Sequence, residues 1–312
     1  MTLGIAASGP GAGRAVLATM TAAELLGRGE IGGFAVLAAL TADGRLLRAE
    51  TQRGGTCGLL RDNPPAAVAA IRAAERVAVI TSGPDRPTPL TRFLPGAPGV
   101  GLVTGHRLPD TPGADGEPLN RAVLVRLAAG LEPAAAVAAV TASAPEADAG
   151  FIALAADGRL ALADTARVAR RPDAGRFEAA GDGWAVGLLH NSIAGPPDFA
   201  RSVGGFAAAF LSGGRAAVRL LALAAPVPIR AAGQDRVHID GEDRILAIET
   251  ANPALPSARR RGGAIYLGSA VLREGRVVGH TASEIVVDMA DGAVRAVAAD
   301  QPPFVVAEMV DD

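Results

Sequence analysis

A chain of 312 residues, 49% hydrophobic and 20% charged, is long enough to bury a substantial core. Its net charge of −2 and aromatic content of 3% provide neither a basic field nor stacking rings, which excludes nucleic acid as a partner. Cys57 is the single cysteine, so no intrachain disulfide or cysteine-held zinc can form, and all 30 basic residues are arginine, which excludes a Schiff-base lysine, a Ser-Lys dyad and a P-loop.

The opening MTLGIAASGPGAGRAVL lacks the basic start and long apolar core of a secretory signal. No uncharged run reaches the length of a membrane span, and the sequence predicts a cytoplasmic protein without a membrane partner. Leu3–Ala7 predicts a buried strand, and Ser8-Gly9-Pro10-Gly11-Ala12-Gly13 turns it into a helix on which Val16, Met20 and Ala23 share a face. Such a strand, turn and helix N-terminus can hold an anion near Ser8, although plain structure is the commoner meaning of a glycine-rich turn in a chain with 39 glycines.

Gly33–Thr51, GFAVLAALTADGRLLRAET, reads as a hairpin turning at Asp43-Gly44, and it ends in a polar loop over Thr51–Gly58. Asn63 and Pro64 predict the start of a helix, Val77–Thr81 a strand, and Ser82–Gly99, with five prolines, an irregular loop. Gly101–Thr104 is a further short strand. Two helices are expected over Glu117–Ala129 and Glu132–Thr141. Ala149–Thr165, AGFIALAADGRLALADT, repeats the hairpin pattern around Asp157-Gly158, and Gly263–Thr281, GAIYLGSAVLREGRVVGHT, repeats it around Glu274-Gly275. Between these copies the sequence predicts strands at 176–180 and 184–189, a helix at 198–211, and mostly strand over 215–223, 244–248, 285–288 and 294–298. The expected organisation is a single domain, 1–312, with halves 1–142 and 148–312 joined by a linker at 143–147.

At the central hairpin, GFIALAADGRL resembles the strand and turn that open the catalytic chain of the asparaginase-type N-terminal-nucleophile (Ntn) hydrolases. RGEIGGFAVLAALTADGRLLRAE with RDNPPAAVAAIRAAERVAVITSG is similar to that family's first chain, and GDGWAVGLLHNSIAGPPDFARSVGGFAAAF to its later strand, turn and helix. The resemblance implies an α/β (α+β) fold, a four-layer αββα sandwich of two mostly antiparallel sheets covered by helices. It further implies a homodimer that hydrolyses a small amide or acylated amino acid as its small-molecule substrate, with no cofactor. It also carries a departure. The position matching the family's nucleophilic threonine is Asp148, which has no hydroxyl to attack an amide or to cleave its own chain.

A different nucleophile is therefore needed, and Thr2 is the physically most interesting one. Once Met1 is removed, its α-amine, with a pKa of about 8, can accept the proton of its own hydroxyl. The bland meaning is a common residue after the start methionine. Arg53, Gly54, Gly55, Thr56 and Cys57 form a second candidate group, in which glycines admit a substrate to the backbone and the arginine takes a carboxylate, whereas a lone cysteine is more often a buried hydrophobe. His190, with Asn191, Ser192 and Asp198, can supply a base and hydrogen-bonding groups, against the alternative of a capped turn with Asp198 as N-cap.

The four histidines stand apart in the sequence and form no metal motif, so no metal site is expected. Asp148 in the nucleophile register favours a competing class, a catalytically inactive relative that binds a small carboxylated ligand. A three-repeat cyclic-amide hydrolase, suggested by the hairpin spacing, would need Ser-Lys pairs that this chain cannot form.

Overall fold

A computed structural model describes residues 1–29, 31–195, 198–213, 218–298, 301 and 303–309. It comprises two compact units, residues 1–214 and 215–312. Pro196 and Pro197 of the expected Gly/Pro turn, and 215–217 of the expected strand at 215–223, lie outside the described residues.

The first unit is built around β1 (Thr2–Ser8), buried along its whole length. It lies between β4 (Arg76–Ser82) and β10 (Trp184–Asn191), antiparallel to both, in a six-stranded sheet. β2 (Ala35–Leu40) and β3 (Leu46–Thr51) continue this sheet beyond β4, and β9 (Ala174–Gly181) closes its other edge. Residues alternate in facing direction along a strand, and the burial of β1 follows that rule. Leu3, Ile5 and Ala7 pack with Val16 and Met20 of α1 (Ala12–Leu26) and with Val203 and Leu211 of α7 (Phe199–Leu211). Ala6 faces the other way, among Ala78, Leu102, Ile152 and Leu162.

These last three residues belong to a second, four-stranded sheet: β5 (Gly96–Ala97), β6 (Gly101–Arg107), β7 (Ala149–Ala155) and β8 (Leu160–Asp164). Its opposite face packs Val103, Phe151 and Ala153 on α4 (Leu119–Ala128) and α5 (Pro133–Ser143). Residues 143–147, expected as the linker between halves, connect the end of α5 to β7 inside this unit. Gly33–Thr51 and Ala149–Thr165 form the hairpins β2–β3 and β7–β8.

The second unit is a ten-stranded sheet. Its order is Val218–Ala222, Phe304–Met309, Arg276–Thr281, Ala270–Arg273, Arg236–Ile239, Ile245–Thr250, Val227–Ala231, Ala293–Val297, Ile285–Ala290 and Arg260–Ile265. One apolar cluster spans it, joining Leu221 and Val305 to Ile265 and Val287. Glu274-Gly275 turns Ala270–Arg273 into Arg276–Thr281 as expected, but the preceding Gly263–Ile265 run pairs with Ile285–Ala290 instead of joining that hairpin.

This arrangement overturns the four-layer αββα sandwich expected for the chain. There are three sheets instead of two, and among the described residues twenty strands outnumber seven α-helices, none of them in the second unit. Its strands bury one face and expose the other, as in Ile285–Ala290, where Ile285, Val287 and Met289 are buried between more exposed neighbours. Such a sheet closes over its own core and needs no helical cover. Among the described residues no helix is long and apolar enough to cross a membrane.

Two local expectations also change. The second half of the polar loop expected over Thr51–Gly58 is the start of α2 (Gly55–Asp62), entered through Gly54 at φ 88°. Asn63 does not cap α3 (Pro65–Ala73): its side chain bonds the backbone of Glu50 and the Leu59 carbonyl.

Candidate active site

At the N-terminal end of β1 a cavity of 410 Å³ opens, lined by Thr2, Ser82, Arg86, Arg92, Arg107 and Asp110 among polar residues and by Phe34, Ile80 and Phe93 among apolar ones. Register explains the floor that Thr2 and Ser82 make, and sets beside it Asn191, which is buried and does not line the cavity. Thr2 is paired with Ser82 on β4 and with Asn191 on β10, so the three side chains emerge in a row on one face of the sheet. It is the face that packs on the second sheet, because Leu189 of β10 and Ile80 of β4 lie in the cluster between the sheets.

The donors around this floor are directed. The Ser82 hydroxyl donates to the carbonyl oxygen of Met1 and accepts from Arg86 Nη2 at 2.7 Å. The bond joining Met1 to Thr2 therefore presents its carbonyl to a hydroxyl polarised by a guanidinium. Arg86 stacks over the Phe34 ring, with its guanidinium carbon 5.9 Å from the centroid. It forms no carboxylate pair among the described residues, unlike its two neighbours. Arg92 pairs with Asp110 at 2.6 Å, and Arg107 grips Asp148 at two points, with Nε to Oδ1 at 2.9 Å. The Arg107 guanidinium holds the Asp148 carboxyl below the usual carboxylate range. Asp148, which the resemblance set in the nucleophile's register, is thus a partner for a cavity arginine.

Asn191 is completely buried, and its Nδ2 donates to Ser192 Oγ at 3.1 Å. Ser192, at φ 56°, donates its hydroxyl to Asp173 Oδ2 at 2.5 Å, and Arg171 holds the same carboxylate at 2.7 Å. The bonds from Arg171 and Ser192 push Asp173 down to about 2.

His190 does not join Thr2. It shares the face of Val186 and Leu188 toward the helices, with its ring 5.0 Å from Phe199, edge on. Burial, assisted by the nearby His106 and opposed by Asp173, pushes His190 down to about 4, which leaves it neutral at pH 7 and a weak base. Ser8 is at the far end of β1, donating to the Gly158 carbonyl at 2.6 Å beside a separate cavity. Asp198 is the N-cap of α7, accepting from Arg201 N–H at 3.3 Å.

The 53–57 segment supports the cavity from outside. Arg53 is exposed and bonded to Asp85 through Nε at 3.0 Å and through Nη2. Its neighbour Gln52 bonds both backbone groups of Arg86, at 2.8 and 2.9 Å. Gly55 abuts the Glu24 carboxylate and Gly32, so protein fills the space imagined for substrate. Thr56 is buried, with its N–H on Glu24 Oε1 at 3.0 Å, and Cys57 is half-buried on α2. Burial, opposed by the Thr56 bonds, pushes Glu24 up to about 7.

Sequence reasoning missed Ser82, Arg86, Arg92 and Arg107. The signal for the first three was the proline-rich segment 82–99, a long loop of the kind that carries function, with two arginines, whereas Arg107 ends β6 outside it. Among the described residues no group of three or more His, Cys, Asp or Glu could hold a metal ion.

A comparison with curated proteins finds no match. The family model of DUF7259, a domain of unknown function, matches residues 226–301. That of DUF6963, also a domain of unknown function, matches residues 2–220, well over half of the sequence and every residue lining the cavity except Met1. The chain belongs to the DUF6963 family.

Proposed function

We propose that the cavity hydrolyses a small amide bearing a carboxylate, such as an acylated amino acid, with Thr2 as nucleophile after removal of Met1. The observation that carries this reading is the environment of the Met1 carbonyl: the group joined to Thr2 already sits on a hydroxyl donor backed by Arg86. With Met1 gone, that donor faces the cavity and can receive the oxygen of a substrate carbonyl.

The Thr2 amine takes the hydroxyl proton, Oγ1 bonds to the carbonyl carbon, and the oxyanion is held by Ser82. Collapse breaks the C–N bond, the amine returns the proton to the leaving nitrogen, and water then cleaves the ester to restore Thr2. Arg86, free of any carboxylate partner among the described residues, takes the substrate's carboxylate.

The test is intact mass combined with a screen against N-acyl amino acids. The reading expects a chain beginning at Thr2, turnover in the wild type, and loss of turnover in Thr2→Ala. Retained Met1, or a Thr2→Ala protein with full rate, refutes it. Ligand binding without turnover would favour the second reading, a non-catalytic binder of small carboxylates, which the arginines around the cavity also suit.

A further inference from the structure

Asn191 carries a buried oxygen with no partner among the described residues. Within them Oδ1 accepts no hydrogen bond, although the residue is completely buried, and an orphaned buried acceptor costs free energy. Its orientation follows from its neighbours. The Ser192 hydroxyl has one proton, and Asp173, held ionised by Arg171, can only accept, so that proton is committed to the carboxylate. Ser192 Oγ must then accept from Asn191, which fixes Nδ2 toward Ser192 and leaves Oδ1 as the free end. Asn191 is the direct cross-strand partner of Thr2, and side chains so paired stand about 5 Å apart at Cβ.

We infer that Asn191 is a positioning residue: its Oδ1 accepts from the α-amino group of Thr2 once Met1 is removed, and so holds the amine beside the hydroxyl that it deprotonates. This inference rests on the reading of Thr2 as an N-terminal nucleophile. It assigns Asn191 an acceptor's role toward the amine, in place of the hydrogen bond to substrate expected from its sequence position. The relay Arg171, Asp173, Ser192, Asn191 then has a purpose, which is to prevent the amide from turning over.

Several charged or titratable groups surround this end of β1. Arg86, Arg92 with Asp110, and Arg107 with Asp148 lie around the cavity. Asp173 and Arg171 stand behind Ser192, the bonded pair His106 and Asp164 comes from the facing sheet at 2.7 Å, and His190 lies on the opposite face. All remain unchanged in variants of position 191, so a difference between those variants isolates Asn191.

The chain has no lysine, so the α-amine is its one primary amine and carbamylation by cyanate reads it directly by mass. The pH dependence of that rate gives the amine pKa. Asn191→Asp, which puts a carboxylate beside the ammonium, is expected to raise this pKa by about 1 unit or more, and Asn191→Leu to lower it. Ser192→Ala should lower it less, and should have no further effect in the Asn191→Leu background, because Ser192 acts only through Asn191. An amine pKa that stays the same in wild type, Asn191→Asp and Ser192→Ala overturns the inference, even if Asn191→Leu fails to fold. Retained Met1 overturns both proposals. A free Thr2 with amidase activity and an unmoved pKa overturns this one alone, and a shifted pKa without amidase activity overturns only the catalytic reading.

Discussion

Gly4 of β1 lies against Gly105 of β6, backbone to backbone: a Cβ on Gly4 would collide with the Gly105 carbonyl. The two sheets therefore approach at a point where neither strand has a side chain. Two residues along β1, Thr2 reaches the cavity, so this contact sets its height above the second sheet. Gly4→Ala has no flexible side chain to displace and is expected to cost about 1–3 kcal/mol, read by urea unfolding. A change below experimental error would show that the sheets can separate freely.

Glu24 offers a pH test. Its folded-state pKa, about 7, lies above the ordinary 4.5, so the native state holds a proton that the unfolded state releases. Stability associated with this group is present below pH 4.5 and is lost as pH rises toward 7. Glu24→Gln keeps an acceptor for the Thr56 N–H without the charge. It should therefore raise the melting temperature at pH 8 and change it little at pH 4.5. Equal shifts at both values would contradict the burial argument.

For His190 the sign is reversed. Its folded-state pKa, about 4, is below the ordinary 6.5, so the unfolded chain binds the proton first and stability falls as pH drops from 6.5 to 4. His190→Leu should flatten the pH dependence of unfolding in that window. At neutral pH the loss of the Phe199 edge contact should cost about 0.5–1.5 kcal/mol. Because the ring faces the helices, the variant should keep the wild-type amidase rate, and abolished turnover in a folded protein would restore the base role.

The arginines can be ranked by their partners. Arg86 is committed to no carboxylate among the described residues, whereas Arg53 is exposed and occupied by Asp85. Calorimetry with N-acetylglycine should show Arg86→Gln weakening binding about 10-fold or more, the scale of a lost charged hydrogen bond. Arg53→Ala should leave it nearly unchanged, since exposed pairs contribute about 0–1 kcal/mol. The opposite ranking would move the ligand out of the cavity.

Much of the first unit was legible because local signals agreed there. Asp43-Gly44 and Asp157-Gly158 mark tight turns between apolar runs, and both hairpins form as expected. The third copy misled because Gly263–Ile265 has the same composition as a hairpin strand, while its partner, Ile285–Ala290, is chosen by long-range pairing that spacing cannot reveal. Thr2 could be proposed from its place after Met1, and the structure puts it on a cavity. His190 and Ser8 misled for a different reason: strand parity sends one to the helical face, and the other stands at the opposite end of β1 from Thr2, with five residues between them. Arg86 and Arg92 were hidden in a loop whose path no periodicity describes.

Every cationic side chain lining the cavity is a guanidinium, a group that stays protonated throughout the range in which proteins remain folded. Alkaline solution therefore discharges the terminal amine but leaves the side-chain charge in place, unlike a surface built from lysine ammonium groups. Capture of an acidic ligand should hold level far above neutrality, and any decline on the acid side should follow the ligand's own ionisation.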